Sequence, residues 1–510
     1  MKLLRLRYLG SGAVGLLFAC GIGAQADRDI RMPAVSGQFY PSDQKRLRQA
    51  IAQFLQDAVT ARIEKPVALV VPHAGYIYSG QVAADGYRQV RDLQPDVVVI
   101  LGTNHADPGF RDISVWARGS YRTPLGDAPI DETLAAMLLA ANTDCRFERG
   151  VHLREHSVEV QVPFVQTVFP RARIVPVVIG APDPAMCSRF GATLAKVLKE
   201  RRALIVASSD LSHYPAYGDA NQADRETLEA VTALDVRAFD SRLQTLMGRG
   251  VRGLDTCACG AGPIMAAMAA AKGLGAVRGI VVSYANSGDV LVGDRSRVVG
   301  YGAVVMAAGG EGPPGVFKDG APTAPVPEAL AASDKRTLLA FARKTLQSYL
   351  ATETLPLARN FPPRLQALQG AFVTLKKHGS LRGCIGHMAA DTALGQVVGA
   401  MAMEAAFNDL RFSPLAAADL RDVEIEISVL TPFKPITSAA EIKLGRDGVI
   451  LHKGDKSAVF LPQVATENGW DLPEMMENLC LKAGLPAGGW KQGARLFIFQ
   501  TEVFSESEFR

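Results

Sequence analysis

Runs of apolar residues alternate with amphipathic stretches between about residue 30 and residue 306. Aliphatic and β-branched runs predict buried strands at 68–70, 97–100, 173–179, 204–206, 279–285 and 298–306. Helical spacing of apolar positions separates them, at 79–93, 131–141, 183–201 and 260–271, and at 221–246, which predicts one or two helices. We therefore expect an α/β domain over residues 30–306, with a mostly parallel layered sheet and flanking helices.

The pattern changes over residues 329–510, which predict a second and smaller domain. Amphipathic helices are expected at 392–406 and at 333–350, the latter with Ser333 as its cap. Strands are expected at 370–375, 423–430 and 495–501, and the strict alternation of 423–429 indicates one solvated face. Strands and helices do not alternate regularly here, which is typical of an α+β domain.

Residues 307–328 separate these two regions and are rich in glycine, proline and alanine. Such a composition cannot bury a core, so we expect a protease-sensitive linker between domains that fold independently.

The first 26 residues have the pattern of a secretory signal peptide. Three basic residues precede an apolar stretch at 9–22, and residues 24–26 (AQA) supply a cleavage site before Asp27. Residues 17–20 (LFAC) also resemble a lipoprotein box ending at Cys20, and an uncleaved anchor is a further alternative. We expect an exported protein, periplasmic or lipid-anchored, with no other membrane segment.

Composition narrows the function classes further. The chain is 48% hydrophobic and 21% charged, with a net charge of +4 over 510 residues, so nothing favours a nucleic-acid partner. Seven irregularly spaced cysteines do not form a disulfide framework. The chain also lacks a C-x3-C-x2-C cluster, so it does not itself hold a radical-type iron–sulfur centre.

Polar residues follow three of the predicted strands at the point where each strand ends. His73 lies in VPHAGY (71–76), His105 in LGTNH (101–105), and Asp210 and His213 in SSDLSH (208–213). Ligands of open α/β sheets bind outside the carboxyl ends of the strands. A single histidine is more often a satisfied core residue, but the coincidence at several strand ends predicts one metal-type pocket.

Further candidate residues lie outside these strand ends. Glu155 and His156 can form a ligand with its orienting carboxylate or an acid/base pair, or can be charged residues in the first turn of a helix. Asp210 can orient His213 or simply cap a turn. Cys259, with Cys257, is placed at a predicted helix start, where the thiol pKa is lowered; the alternative is a pair of buried thiols. His152 is expected at the surface.

Several motifs in order along the chain resemble the Memo family: VPHAGY, GTNH, YRTPL (121–125), EHSVE (155–159), SSD with His213, and CG-x-x-P from Cys259. The resemblance covers roughly residues 32–306 and implies a fold like that of class III extradiol dioxygenases. It also implies that His73, His105 and Cys259 face a metal, with Asp210 and His213 beside them.

Two imidazoles and a thiolate suit iron(II), copper or zinc, and we expect one transition metal, iron or copper ahead of zinc. Extradiol dioxygenases use two histidines and a carboxylate on non-haem iron. A cysteine in place of that carboxylate changes the donor, which argues against a direct transfer of oxygenase chemistry to this chain.

The most distinctive string of the second domain is LRGCIG at 381–386. We expect a ligand site at Arg382, Gly383 and Cys384, since glycines let the backbone approach a ligand and arginine holds carboxylate or phosphate. The alternative is a tight turn with a buried thiol. Together with AFND (406–409), RFSP (411–414), EIEISVL (424–430) and FLPQV (460–464), the string resembles the AMMECR domain family.

That family often adjoins Memo-like and radical SAM proteins in the AmmeMemoRadiSam system, which implies a radical SAM protein as partner. Two function hypotheses follow. The first is a metal-dependent protein with redox or oxygenase-like chemistry, or one that matures or modifies a target together with the radical SAM partner. The second is a non-catalytic adaptor that binds a peptide or small ligand in the cleft. A hydrolase is disfavoured, since no G-x-S-x-G elbow is present.

Overall fold

The computed structural model describes residues 29–309 and 329–509. The proposed signal peptide with Cys20, and most of the proposed linker, lie outside these described residues. Within the described residues, no helix combines the length and the apolar character that crossing a bilayer would require.

The first domain contains helices separated by short strands, as the alternating pattern predicts. Its helices are α1 Gln44–Gln56, α2 Tyr76–Val90, α3 Glu132–Ala141, α4 Arg149–Leu153, α5 Val162–Val168, α6 Pro184–Leu198, α7 Tyr217–Thr232, α8 Val236–Gly248 and α9 Ala261–Gly273. Its strands are β1 Ile30–Arg31, β2 Pro66–Val71, β3 Val97–Thr103, β4 Ile113–Val115, β5 Ser120–Thr123, β6 Gly126–Pro129, β7 Cys145–Arg146, β8 Arg173–Ile179, β9 Ala203–Ser208, β10 Arg278–Asn286 and β11 Gly300–Ala307.

The main sheet has the order β10-β11-β2-β9-β3-β8-β4-β7. Its centre, β2-β9-β3-β8, is parallel, which confirms the mostly parallel layered sheet expected from the sequence. Antiparallel neighbours close it on both sides, β11 beside β2 and β4 beside β8. The central strands are nearly all aliphatic and fully buried, because helices such as α2 and α9 pack on them.

The second domain is an α+β unit, also as expected. Its helices are α10 Ala332–Thr352, α11 Leu394–Phe407, α12 Gln463–Glu467 and α13 Leu472–Lys482. Its strands are β12 Ala371–Lys377, β13 Ser380–His387, β14 Val423–Leu430, β15 Lys434–Ile436, β16 Gly448–Lys453, β17 Lys456–Phe460, β18 Arg495–Phe499 and β19 Thr501–Ser505. They form two antiparallel sheets, β13-β12-β14-β19 and β15-β18-β16-β17.

The stretch 221–246, expected as one or two helices, forms two, because Leu234 adopts a positive φ of 52° and Asp235 caps α8 with its side chain. Two local expectations differ from the structure. Ser333 lies inside α10 and does not cap it; the carboxylate of Asp334 instead accepts the amide of Ala331. The late strand at 495–501 is divided into β18 and β19.

The two domains are in direct contact. The guanidinium of Arg359 donates to both carboxylate oxygens of Asp85, at 2.6 and 3.0 Å, and Asp85 is fully buried. Lys344 pairs with Asp57 at 2.7 Å. Val290 and Leu291 of the first domain belong to the hydrophobic core around α10 and α11.

Because the two domains are in contact, we expect them to stay together after limited proteolysis of the segment between them. Cleavage is expected within residues 310–328 because of their composition, but the two fragments should stay associated, since Asp85 would otherwise keep a buried charge without Arg359. Size-exclusion chromatography of the digest is the measurement, and the Arg359→Ala variant is the control that should release the fragments. Separate elution of wild-type fragments would instead support independent domains.

Candidate metal centre

The parallel centre of the sheet brings the predicted strand-end residues together. His73 follows β2, His105 follows β3, and Asp210 follows β9, which lies between those two strands. Cys259 arrives from the segment that precedes α9. The ligand atoms of His73, His105 and Cys259 lie within 4.8 Å of one another. The sheet order thus explains why residues far apart in the chain form one cluster.

Glycine at position 260 lets Cys259 reach the strand ends. A Cβ on Gly260 would lie 2.5 Å from the carbonyl oxygen of Ser208 and 2.6 Å from the Cβ of Ser209. The Gly260 amide donates to the Ser209 hydroxyl at 2.9 Å. This close approach leaves the Cys259 Sγ 3.2 Å from Nε2 of His73.

The hydrogen-bond network around Ser208 determines the tautomer of His73. The Ser208 hydroxyl donates its one proton to the carbonyl of Ser157 at 2.6 Å and accepts from Nε2 of Gln161 at 2.8 Å. Towards Nδ1 of His73, 3.1 Å away, it can therefore only accept. His73 thus carries its proton on Nδ1, and the Nε2 lone pair is directed at Cys259.

Glu155 determines the tautomer of His105. One carboxylate oxygen accepts from Nδ1 of His105 at 3.0 Å, and the other accepts the His105 amide. A carboxylate only accepts, so His105 also presents a free Nε2 lone pair. Burial alone would raise the pKa of Glu155, but the hydrogen bonds from His105 and from the Ser157 amide hold it well below its usual range. The orienting carboxylate expected for His156 therefore serves His105.

His156 completes a cluster of imidazoles at the cleft. Its ring stacks on that of His105 with centroids 4.8 Å apart, and it meets the His73 ring edge-on at 5.5 Å. Its Nδ1 lies 3.5 Å from Glu155. His156 is thus placed beside the proposed ligands, with Glu155 in common.

Asp210 anchors the His73 turn. Its Oδ1 accepts the amides of His73 and Ala74 at 2.7 and 3.2 Å, while Oδ2 lies 4.0 Å from Nε2 of His73. Burial raises the pKa of Asp210 to about 6. The carboxylate therefore organises the end of β2, and does not orient His213 as the local spacing suggested.

His213 supplies the observation that tests whether the residues fit a metal. Its Nε2 is buried and makes no hydrogen bond to any other described residue. It lies in a group with Asp210 and Cys259 whose ligand atoms are all within 4.8 Å of one another. Buried polar atoms normally have a hydrogen-bond partner. The unpaired Nε2 of His213 lies beside the Cys259 thiol and near the Nε2 lone pairs of His73 and His105. Such a set of donor atoms fits a metal ion.

Burial controls the protonation of the two innermost ligands. It lowers the pKa of His73, and the neighbouring His105 and His156 lower it further, so His73 stays neutral. It raises the pKa of the Cys259 thiol, and the charge of Asp210 adds to this. The expected lowering of the Cys259 pKa by a helix start is therefore wrong for the metal-free pocket, because α9 begins only at Ala261 and desolvation dominates.

Other predictions for this region have mixed outcomes. Cys257 is a buried thiol whose Sγ contacts Met247 at 3.7 Å, and it belongs to none of the candidate ligand groups. His152 is fully buried, not at the surface, since its ring nitrogens bond the Tyr121 hydroxyl at 2.6 Å and the Ser114 hydroxyl at 2.9 Å.

The sequence reasoning missed the roles of Ser208 and Gln161, which hold His73. Ser208 is the last residue of the buried strand β9, and a hydroxyl at such a position is a signal for this role. Gln161 is 1% exposed and gave no local signal, because its partners are Pro72 and Ser208.

In the second domain, LRGC lies on strand β13 and not in a turn. Gly383 faces α11, where a Cβ would lie 2.1 Å from the carbonyl oxygen of Ala405. Cys384 is on the opposite face, since neighbours along a strand alternate, and Arg382 lies at a register shift of the β12–β13 pair. Thr374 donates to the Cys384 Sγ at 3.3 Å, and Asp409 accepts the Cys384 amide at 2.9 Å.

The two terminal nitrogens of the Arg382 guanidinium differ in their hydrogen bonding. Its Nη2 donates to the carbonyl of Ser413 at 2.6 Å, while Nη1 is buried without a hydrogen-bond partner among the described residues. The structure therefore gives Gly383 a packing role, and leaves a ligand at Arg382 and Cys384 as a prediction.

Comparisons with known proteins identify two family regions in the chain. A family model described as Memo-like protein matches residues 31–305, and one described as AMMECR1 matches residues 339–504. A MEMO1 family protein of Nitrosopumilus maritimus is 36% identical over 281 residues, 54% of this chain and 98% of that protein. A MEMO1 family protein of Aquifex aeolicus is 39% identical over 276 residues, 53% of this chain and 97% of that protein.

The solved structures give a weaker likeness. The crystal structure of an uncharacterized protein from Pyrococcus horikoshii is 34% identical, covers 35% of this chain and 93% of that one, and has a TM-score of 0.33.

Proposed function

Since the chain belongs to the family of Memo-like proteins and carries an AMMECR1 region as well, we propose that it is a metal-dependent protein with redox or oxygenase-like chemistry. His73 and His105, through Nε2, and Cys259, through Sγ, would hold one transition metal. The supporting observation is the convergence of these three donors within 4.8 Å, with both imidazole lone pairs directed by hydrogen bonds. Metal analysis of protein purified without oxygen is the direct test.

A metal held by two imidazoles and a thiolate supplies electron transfer and Lewis-acid polarisation of a bound substrate. The chain supplies the rest. Ser208 and Glu155 keep the ligand imidazoles in one tautomer, and Asp210 fixes the turn that carries His73. His156 and His213 are the imidazoles beside the ligands, where each can accept or deliver a proton.

We propose iron or copper ahead of zinc because the proposed chemistry includes electron transfer, and zinc has no redox chemistry. Elemental analysis alongside the electron paramagnetic resonance signal distinguishes copper(II) or iron from zinc.

The proposed partner is a radical SAM protein, with which this chain would mature or modify a target. Support comes from the joining of Memo-like and AMMECR1 regions on one chain, while no iron–sulfur motif of the radical type occurs in it. Export, by the proposed signal peptide or through Cys20, belongs to the same proposal. Cell fractionation with mass spectrometry of the mature N-terminus tests the compartment, and co-purification tests the partner.

Replacing Glu155 by glutamine tests the orientation of His105. Loss of the acceptor-only carboxylate lets His105 take the wrong tautomer, so metal affinity is expected to fall by about 10–100-fold, as when other outer-sphere partners are removed. Competition with a chromophoric chelator measures the affinity. Glu148→Gln is the matched control, because Glu148 caps only the short helix α4. Equal affinities in both variants would exclude the orienting role.

We also propose that Arg382 and Cys384 line a ligand site of the second domain. Cys384 is half-buried, so a small thiol reagent should label it in the native full-length chain, faster than the fully buried Cys480. Peptide mass spectrometry of timed aliquots, with and without denaturant, measures the rates. Equal rates for the two cysteines, both limited by unfolding, would favour a purely structural thiol.

A further inference from the structure

The cleft wall that carries His213 is joined to a loop from the C-terminal part of the first domain. Segment 211–215 exchanges four backbone hydrogen bonds of 2.7–2.9 Å with Val298 and Gly300. His213 itself forms a bridge with Val299. The amide and carbonyl of His213 themselves bond Thr256 and Asp255, each at 3.0 Å, so His213 is held between that segment and the loop. Because the loop's bonds flank His213 on both sides, a shift of the loop changes the position of its imidazole.

The other end of the same loop, residues 287–299, enters the second domain. Val290 and Leu291 are buried in the core that α10 and α11 build. A Cβ on Gly399 of α11 would lie 2.8 Å from Cδ2 of Leu291, so only glycine leaves this space. Leu291 is therefore seated in a site of matching shape, and the loop has one fixed arrangement.

Gln396 of α11 holds the loop by both ends of its amide. Its Nε2 donates to the carbonyl of Gly288 at 2.8 Å, and its Oε1 accepts from Nη2 of Arg295 at 2.9 Å. Arg295 in turn lies over the ring of Tyr217, with 4.3 Å from its Cζ to the ring centroid. Gln396 is 9% exposed, so these polar contacts are shielded from water.

We propose that the second domain is a positioning element of the metal centre. Gln396 and Leu291 hold loop 287–299, and the loop holds His213 at the place where its unpaired Nε2 meets the metal or the bound substrate. Gln396 contacts none of the proposed ligands, so it is a positioning residue and not a catalytic one. This inference rests on the proposed metal function and adds to it that the two domains form one functional unit.

The test compares two buried glutamines of the second domain in the full-length protein. Gln396→Ala removes the contact with the loop. Gln369→Ala is the matched control, because Gln369 is 8% exposed, donates to the carbonyl of Leu430 and accepts from Arg364, all within its own domain. Both variants lose a buried amide, but only the first loses the link to His213.

The first readout is the rate at which cobalt(II) leaves the loaded protein for a chelator, with its visible absorption spectrum. Gln396→Ala should release cobalt about tenfold faster and shift the spectrum, at the lower end of outer-sphere effects. Gln369→Ala should behave as wild type. Leu291→Ala removes the contact from the loop, whereas Gln396→Ala removes it from α11, so both variants should have the same effect. Leu291→Ala replaces Gln396→Ala in the test if the latter fails to fold.

A double-mutant cycle shows whether the effect passes through His213. In a His213→Ala background, Gln396→Ala should change cobalt release by less than twofold, since the residue it positions is gone. An undiminished tenfold effect in that background would overturn the proposal, as would a wild-type rate and spectrum for both Gln396→Ala and Leu291→Ala.

The second readout needs no metal. Amide hydrogen exchange of Leu211 and Tyr214 should be faster in Gln396→Ala than in Gln369→Ala, because their hydrogen bonds to the carbonyls of Gly300 and Val298 open more often. If wild type binds no metal but this difference is present, the proposed function fails while the coupling of the domains stands. If wild type binds metal and the exchange rates are equal, the positioning role is wrong.

Discussion

Replacing Cys259 by serine is expected to reduce bound metal from about one ion per chain to near zero. A neutral hydroxyl in place of the thiolate removes the one soft, charged donor of the set, and the fall in affinity should exceed the roughly 100-fold seen for loss of an outer-sphere partner. His73→Ala should have the same effect, because its Nε2 lies only 3.2 Å from the Cys259 Sγ. Metal content per chain, measured after anaerobic purification, gives the result.

The matched control for this prediction is Cys257→Ser. Cys257 is two residues away and buried, but its Sγ contacts Met247 and it belongs to no candidate ligand group among the described residues. Its replacement should leave metal content unchanged. Equal metal in wild type and Cys259→Ser would remove Cys259 from the site. A wild-type protein without metal would leave the adaptor hypothesis as the better one.

Local sequence signals were sufficient to place the candidate ligands at strand ends. His73, His105 and Asp210 each follow a run of buried aliphatic residues, and parallel neighbours place such positions at one edge. The order β2-β9-β3, which sets Asp210 between the histidines, is a property of the whole sheet. No local sequence pattern determines this strand order, so the contacts of Asp210 with the His73 turn could not be predicted.

The roles of polar partners were the least predictable part of the site. Glu155 is next to His156 in the chain, yet its oxygens serve His105, 50 positions away. His152, expected at the surface, is buried and hydrogen-bonded to the hydroxyls of Tyr121 and Ser114. Hydrogen bonds between distant segments depend on tertiary packing, and periodicity carries no information about them.

In the second domain, we expected the glycines of LRGCIG to allow a close approach to a ligand or a tight turn, but the structure gives them a packing role. Both lie in strand β13, where a Cβ would meet the carbonyl of Ala405 in the case of Gly383, and the ring of Phe372 in the case of Gly386. Close packing of other elements, which no sequence pattern reports, requires glycine there as strictly as a turn would.

Replacing Arg31 by methionine is expected to destabilise the first domain by about 3–5 kcal/mol, the cost of leaving a buried charge without its partner. Arg31 is fully buried, pairs with Glu159, and donates from Nε to the carbonyl of His152 at 3.0 Å. Glu159 is 1% exposed and also accepts the Ala34 and Val35 amides. With methionine at 31, these amides remain, but the carboxylate keeps no counter-charge.

Urea unfolding followed by the fluorescence of Trp116 measures this loss, in a background where Trp470 and Trp490 are replaced by phenylalanine. Trp116 is fully buried in the first domain and meets Tyr121, over whose ring the Arg31 guanidinium lies. Arg202→Met is the control: it breaks an exposed, solvent-screened pair with Asp96, so little or no loss of stability is expected.

A double variant, Arg31→Met with Glu159→Leu, separates charge from packing. It should be more stable than the sum of the two single losses implies, because no unpaired charge is left. Additive losses would instead mean that both side chains act only by filling space. Arg31 also donates to the carbonyl of Glu155. The single variant should therefore loosen the segment that orients His105, and weaken metal binding even where the domain remains folded.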